Sequence, residues 1–183
     1  ISDLPIGTDL PQHGAQISLA LDLLGSGRWE DFLGFYFTTP YLLTYLAGAA
    51  LVFFTNSIIA LKMLVAFAML GYLFSARKFV ASYGADLKLS WLAFFGCYSF
   101  SYQWGFLPFN ISICFGLLLL ALTHKNDEAG LKSLTFLEVL LILCITLTHG
   151  LTSLIVSGFM FSRVLVCSSS TSLARPLVIG ILL

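Results

Sequence analysis

The sequence predicts an all-α fold, a polytopic bundle of membrane helices, and three observations support this. The mean hydropathy is +0.96, and 58% of the 183 residues are hydrophobic while only 10% are charged, unlike a soluble domain. The apolar residues form runs that approach the roughly 20 residues of a membrane-spanning helix. The basic residues lie in alternate loops between these runs. We therefore expect five to six spanning helices, with interfacial helices in a large outer loop.

The first helix is predicted over residues 10–24. Asp9 suits the N-cap position and Pro11 falls in the first turn. Leucine and isoleucine recur among Gln, His and Asp, which is typical of an amphipathic helix at a membrane surface. The glycines at 25 and 27 end it. We assign residues 1–55 to an outer loop that contains interfacial amphipathic helices.

The apolar segment 41–54 follows Pro40 and is short for a membrane span. An interfacial or re-entrant helix is at least as consistent with this length. If 41–54 does not span, residues 1–39 face outward with the other outer turns. If it does span, residues 1–39 face the cytoplasm and the polar residues are split between the two membrane faces.

Residues 56–183 are predicted to form the membrane bundle. The chain starts without methionine and ends inside an apolar run, so we expect it to be part of a longer membrane protein. The predicted apolar helices of this part are 57–76, 89–102, 109–122, 134–147, 151–166 and a last one that starts near 176.

Positive charge predicts the orientation. Loops 77–88, 124–132 and 163–175 hold seven of the nine Lys and Arg residues, which assigns these loops to the cytoplasm. The turns at 103–108 and 148–150 have no Lys or Arg and are assigned to the outer face. We expect an integral protein of the plasma (inner) membrane.

Polar residues that could bind a ligand or act in catalysis are concentrated at that outer face. Asp9 and His13 are four residues apart and share a helix face, so they could bind a metal ion or act as base and acid. An N-cap aspartate beside a solvated histidine is the alternative. His149 lies between two apolar segments, where an ionisable group is costly and usually faces a water-filled cavity or a partner. The alternative is a histidine at a wet turn between two helices. Gln103 and Trp104 could contact a sugar or lipid headgroup, or Trp104 belongs to the interfacial aromatic belt.

Several functions are disfavoured by the sequence. The chain has zero net charge and no basic patch, so nucleic acid is not an expected partner. No phosphate-binding glycine motif is present. The four cysteines stand singly in apolar segments and are interpreted as small buried hydrophobic residues.

Four segments resemble a known family. They are Thr-Asp-Leu-Pro-Gln-His at 8–13, Thr-Pro-Tyr-Leu-Leu-Thr-Tyr-Leu at 39–46, Tyr-Leu-Phe-Ser-Ala-Arg-Lys at 72–78 and Gly-Phe-Leu-Pro-Phe-Asn at 105–110. Their layout resembles the first large outer loop, the second span and an outer turn of the GT-C superfamily of membrane glycosyltransferases. The resemblance covers most of the chain and depends on short motifs.

The resemblance implies a reaction and a set of roles. Such enzymes move a sugar from a polyprenyl-phosphate carrier to an acceptor at the outer membrane face. The acidic residue of the first outer loop, a base or metal ligand, would be Asp9, with Asp3 as second choice. His13 would share a divalent cation with Asp9 if the reaction needs one, and His149 would bind the carrier phosphate. The partners implied are membrane lipid, a polyprenyl-phosphate-linked sugar and other membrane subunits.

Two other functions remain open from the sequence. A non-catalytic membrane subunit that scaffolds a larger complex would explain the short chain and its 17 Phe, 7 Tyr and 3 Trp residues. A transporter ranks third, because it predicts inverted repeats and polar groups at the bilayer midplane. The polar groups of this chain lie at the ends of the apolar runs instead.

Overall fold

The computed structural model describes residues 7–27, 31, 39–166 and 174–183, and within these residues it is helical without strands. This agrees with the all-α prediction. The helices of the described part are α1 (Leu10–Ser26), α2 (Leu42–Val52), α3 (Ser57–Ser82), the 3₁₀ helix η1 (Leu87–Leu92), α4 (Ala93–Gly96), α5 (Phe100–Trp104), α6 (Leu107–Glu128), α7 (Phe136–Thr148), α8 (Gly150–Val166) and α9 (Ala174–Leu182).

Helix α1 begins after Asp9, as the sequence predicts, and ends at Gly27 in a left-handed conformation with φ of 63°. The Asp9 side chain makes no capping hydrogen bond with the described residues. The apolar face of α1 packs on protein, because Leu10 and Ile17 are buried in one cluster with Leu61 and Leu64 of α3. Helix α1 is therefore held on the bundle by its apolar side.

Helix α2 has 11 residues, so it is about 16 Å long at a rise of 1.5 Å per residue. A hydrocarbon core of about 30 Å needs nearly twice that length. The structure therefore favours the interfacial or re-entrant alternative for 41–54 over a complete span.

Helices α3 and α6 are the two described helices that are long and apolar enough to cross a membrane. Helices α2, α7 and α8 are apolar but shorter. The expectation of five to six spans is therefore matched in part, by two helices of full length. Asn56 caps the start of α3, because its side-chain Oδ1 accepts a hydrogen bond of 2.9 Å from the Ile59 backbone N–H.

The prediction of one continuous helix over 89–102 is wrong. The chain forms η1, α4 and α5 in this region, with an irregular turn at residues 97–99. Serines, a glycine and bulky aromatic side chains alternate here, and none of these residue types is a strong helix former. Apolar composition alone could not reveal the interruption.

The remaining helices form one layered core with α6 at its centre. Leu119 of α6 is buried with Ile145 of α7 and Met160 of α8, and Ile179 of α9 joins the same cluster. Helix α7 opens with a capping box, in which Glu138 and Thr135 bond to each other's backbone N–H groups. This explains the buried Glu138 as a structural residue.

Candidate functional site

A cavity of about 600 Å³ lies where the start of α1, the start of α2 and the α7–α8 junction meet the first residues of α6. Its size is typical of small-molecule sites. Three of the polar residues singled out in the sequence line it together, namely Asp9, His13 and His149. The other lining residues are Gln12, Gln16, Thr39, Tyr41, Tyr45, Phe100, Ser101, Phe106, Pro108, Phe109 and Leu151.

The turn between α5 and α6 fixes Asp9. The Asp9 backbone N–H donates a hydrogen bond of 2.8 Å to the Trp104 carbonyl. The next residue of the turn, Gly105, has φ of +79°, a conformation that favours glycine. A β-carbon at Gly105 would lie 2.8 Å from the Leu10 side chain and 3.1 Å from the Leu10 backbone nitrogen. Close backbone approach therefore places the first turn of α1 at the cavity.

His13 is oriented by a relay of hydrogen bonds. Its Nδ1 lies 3.0 Å from the Tyr45 hydroxyl, and that hydroxyl donates to Oε1 of Gln16. Which of His13 Nδ1 and the phenol donates in this contact follows from the tautomer of the ring. In either tautomer the relay holds the ring in the wall of the cavity.

Burial keeps the His13 ring neutral. Desolvation lowers the pKa of His13 below its ordinary value, and it outweighs the opposing influence of Asp9, Gln16 and the Gly105 backbone. A neutral imidazole can accept a proton or a hydrogen bond near neutral pH. His13 therefore has the protonation state that a base or an acceptor requires.

His149 connects α7 to α8 and is held by its backbone, whose N–H donates to the Ile145 carbonyl at 2.9 Å. Its ring meets the rings of Tyr41 and Phe109 edge-on, with centroids 5.3 Å away in both cases. Its Nδ1 is buried and has no hydrogen-bond partner among the described residues. Burial also lowers the pKa of His149. A buried nitrogen without a partner is costly, so the atom marks a position that a polar ligand group could satisfy.

Five rings form one continuous wall of the cavity. Phe109, His149, Tyr41, Tyr45 and His13 follow one another with centroid separations of 5.3, 5.3, 6.4 and 5.9 Å. Such a wall offers flat apolar faces beside a few fixed polar atoms, the usual composition of a ligand pocket.

Gln103 and Trp104 are not brought into the cavity lining. Nε2 of Gln103 donates to the Tyr98 carbonyl at 3.1 Å, and its side chain is exposed. The Trp104 ring packs beside Phe100 and Phe106 at 5.2 and 6.3 Å between centroids. Trp104 contributes to the site through its backbone carbonyl, which holds Asp9. The substrate contacts predicted for the two side chains stay predictions.

The described residues do not form a metal-binding group. No cluster of three His, Cys, Asp or Glu side chains occurs among them, and Nδ1 of His13 is engaged by Tyr45. Asp9 and His13 alone provide fewer protein ligands than most metal sites have, so we derive no step through a divalent cation. Asp3, the second choice for the acidic residue, lies outside the described residues, as does Cys167.

Tyr45 and Phe109 are site residues that the sequence analysis did not select. One signal was present: Tyr41 and Tyr45 are four residues apart, so they share a face of α2 that could have been paired with His13. Comparison of the chain with protein-family models, characterised proteins and solved structures finds no match.

Proposed function

We propose that this cavity is the active site of a membrane glycosyltransferase, or of the membrane part of one. The enzyme moves a sugar from a polyprenyl-phosphate carrier to an acceptor at the outer membrane face. One observation carries the proposal. Asp9, His13 and His149 come from distant parts of the sequence and line one cavity, beside two helices long enough to cross a membrane.

The proposed reaction is an inverting displacement at the anomeric carbon. The acceptor hydroxyl oxygen forms the new bond to this carbon as the bond to the carrier phosphate oxygen breaks. The carrier leaves as polyprenyl phosphate, and Asp9 takes the proton of the attacking hydroxyl. The neutral His13 ring forms a hydrogen bond with a further hydroxyl of the acceptor or the sugar.

His149 is assigned to the carrier phosphate. The described lining residues include no Lys or Arg, so the negative charge of the phosphate is met by the imidazole of His149. A bound phosphate would raise the pKa of His149, because an opposite charge favours the protonated ring. The protonated His149 would then stabilise the charge that develops on the leaving phosphate.

The proposal includes a membrane arrangement. Helices α3 and α6 span, and the shorter α7 and α8 complete two further crossings, which gives four of the five to six spans expected from the sequence. Residues 1–39 and the cavity face outward, while the Lys and Arg loops face the cytoplasm. Polyprenyl carriers are membrane lipids, so a cavity at the end of spanning helices is accessible to their headgroups.

The direct test is the Asp9→Asn variant. Membranes with the wild-type chain or the variant are incubated with polyprenyl-phosphate-linked sugars, and released polyprenyl phosphate is quantified. We expect Asp9→Asn to lower the release at least 100-fold, since general base catalysis contributes about 10²- to 10⁴-fold. Asp22→Asn is the matched control, because Asp22 lies on α1 outside the cavity lining, and it should retain most activity.

The scaffold alternative predicts a different outcome. A structural subunit would release no polyprenyl phosphate above background, and both aspartate variants would assemble with their partners as the wild type does. Equal transfer by wild type and Asp9→Asn would remove Asp9 from the mechanism and contradict the proposal.

A further inference from the structure

Helices α3 and α6 run in the same direction. The Phe67 ring lies 6.5 Å from the Phe115 ring near the middle of the two helices. Towards their C-terminal ends, the Tyr83 ring, directly after α3, stacks on His124 of α6 with centroids 4.0 Å apart. Residue numbers therefore rise together along both helices. The chain between them must return from the C-terminal end of α3 to the N-terminal end of α6.

The length of this return is close to the thickness of a bilayer. It starts at Tyr83 beside His124 and ends at Leu107, the first residue of the same helix α6. At a rise of about 1.5 Å per residue, Leu107 and His124 are about 26 Å apart along α6. The hydrocarbon core is about 30 Å thick. If α6 spans the membrane, residues 83–106 cross it in the opposite direction.

The contacts of the return segment follow this path. Gly96 lies against the Tyr72 ring, because a β-carbon added to Gly96 would be 2.7 Å from Cε1 of Tyr72. Further along, the Tyr102 hydroxyl donates to the Ala68 carbonyl at 2.9 Å. The segment therefore runs antiparallel to α3, along the side of that helix.

We propose that η1, α4 and α5 together form a discontinuous membrane crossing whose aromatic side faces lipid. The proposal depends on α3 and α6 spanning the bilayer and does not depend on glycosyl transfer. Trp91 and Phe95 are 72% and 73% exposed, and Tyr98 is exposed as well. An exposed apolar surface of this kind is unusual in water and is the normal surface of a helix in lipid.

Local hydrogen bonds, together with a small chamber behind the turn, compensate for the break in the helix at residues 97–99. Backbone groups at membrane depth must be satisfied, and the N–H groups of Cys97, Tyr98 and Ser99 donate to carbonyls three residues earlier. Nε2 of Gln103 satisfies the Tyr98 carbonyl from the side.

The chamber has a volume of about 110 Å³ and lies behind the turn. Hydroxyl or amide groups of five residues line it: Tyr72, Ser99, Ser101, Tyr102 and Asn110. Asn110 is 3% exposed, and its Oδ1 has no hydrogen-bond partner within the described chain. About three water molecules at roughly 30 Å³ each fit this volume and would satisfy such groups. The proposal thus places one side of the crossing against a chamber with room for water and the aromatic side in lipid.

The first test is sidedness. Single cysteines at Ala85, Gln103 and Ser133, in a chain whose four native cysteines are replaced, are labelled in intact cells with a membrane-impermeant maleimide. Gln103→Cys and Ala85→Cys should lie on opposite sides of the membrane. One of them should therefore react in intact cells and the other only after permeabilisation. Ser133→Cys follows the end of α6 and should behave as Ala85→Cys does. Labelling of positions 85 and 103 from the same side would overturn the crossing.

The second test keeps all native cysteines and so does not depend on the substituted background. Trp91 is made the only tryptophan by Trp29→Phe and Trp104→Phe, and the protein is placed in vesicles of phosphatidylcholine with brominated acyl chains. We expect at least a twofold loss of Trp91 fluorescence relative to unbrominated vesicles, with little quenching by iodide. Strong iodide quenching without an effect of bromine would overturn the crossing, and neither outcome bears on glycosyl transfer.

Discussion

Tyr45 is the residue on which the geometry of His13 depends. Its hydroxyl lies between Nδ1 of His13 and Oε1 of Gln16 and thereby connects α1 with α2. The relay fixes the orientation of the His13 ring, a common way in which a neighbouring group sets the role of a histidine.

Removal of this hydroxyl should cost stability. Tyr45→Phe leaves partly buried polar atoms of His13 and Gln16 without their partner, which costs about 1 to 2 kcal/mol. Thermal unfolding in detergent should therefore begin at a lower temperature than in the wild type. Tyr41→Phe is the matched control, because the Tyr41 hydroxyl makes no hydrogen bond with the described residues, and it should unfold as the wild type does. Equal unfolding of the two variants would contradict the relay.

The two cavity histidines predict a loss of stability in acid. Burial lowers the pKa of both His13 and His149 in the folded chain, whereas the unfolded chain keeps a value near about 6.5. Between these values the unfolded state binds more protons, so stability is complete above about pH 6.5 and falls as the pH decreases through the lowered pKa values.

The measurement is the unfolding temperature from pH 7.5 to pH 5.5 for the wild type and for the double variant His13→Gln/His149→Gln. The double variant should lose less stability over this interval, because it lacks both titrating rings. An identical acid-dependent decrease in both proteins would show that these two rings do not contribute.

At the residue scale the sequence predicted the charged and titratable members of the site better than its walls. Asp9, His13 and His149 stood out because ionisable groups are rare in this apolar chain. Tyr45 and Phe109 did not, since the chain has many aromatic residues and only tertiary contacts distinguish those that line a cavity. Gln103 and Trp104 were also candidates, but they lie at the end of α5 with side chains that do not line the cavity.

At the scale of elements, the junction of α1 with the α5–α6 turn positions the site. Gly105 combines a left-handed backbone with close packing against Leu10. Gly84 has a similar φ of +64°, but a β-carbon there would meet nothing within 4 Å. A comparison of alanine substitutions at the two glycines therefore separates the cost of the left-handed backbone from the cost of the contact with Leu10.

Gly105→Ala should destabilise the chain more than Gly84→Ala. Both substitutions cost about 1 to 2 kcal/mol for the left-handed conformation. Gly105→Ala adds about 1 to 3 kcal/mol of overpacking, because the Leu10 backbone nitrogen cannot move independently of α1. Unfolding temperatures in detergent measure the difference, and transfer activity should fall with Gly105→Ala alone. Equal effects of the two variants would mean that α1 is not held at this turn.

The helix at 10–24 and the apolar helices that correspond to α3, α6, α7 and α8 were predicted because they are long apolar or amphipathic runs. Their ends were predicted less well, since α3 and α6 each continue about six residues past the predicted ends at 76 and 122. Segment 89–102 has the same composition, yet it is interrupted at residues 97–99, where contacts with Tyr72 and with a polar chamber replace regular helix. Such contacts are formed between distant residues and leave no periodic signal.

At the scale of the whole molecule, the polar groups of the two ends differ. The described lining of the cavity combines the Asp9 carboxylate with aromatic and imidazole rings, whereas the far end of α6 has an ion pair of 3.2 Å between Asp127 and Arg163 of α8. The far end also carries Lys and Arg residues of the loops that the sequence assigns to the cytoplasm. The proposed orientation places the cavity outside and this basic end in the cytoplasm.

The proposed site requires that the cavity open at one membrane face with Asp9 and His149 together. Single cysteines at positions 9, 149 and 132, in a chain without the native four, are labelled in intact cells with a membrane-impermeant maleimide. Positions 9 and 149 should react from outside, and position 132 should react only after permeabilisation. Labelling of positions 9 and 149 from opposite faces would contradict the site and the function proposed for it.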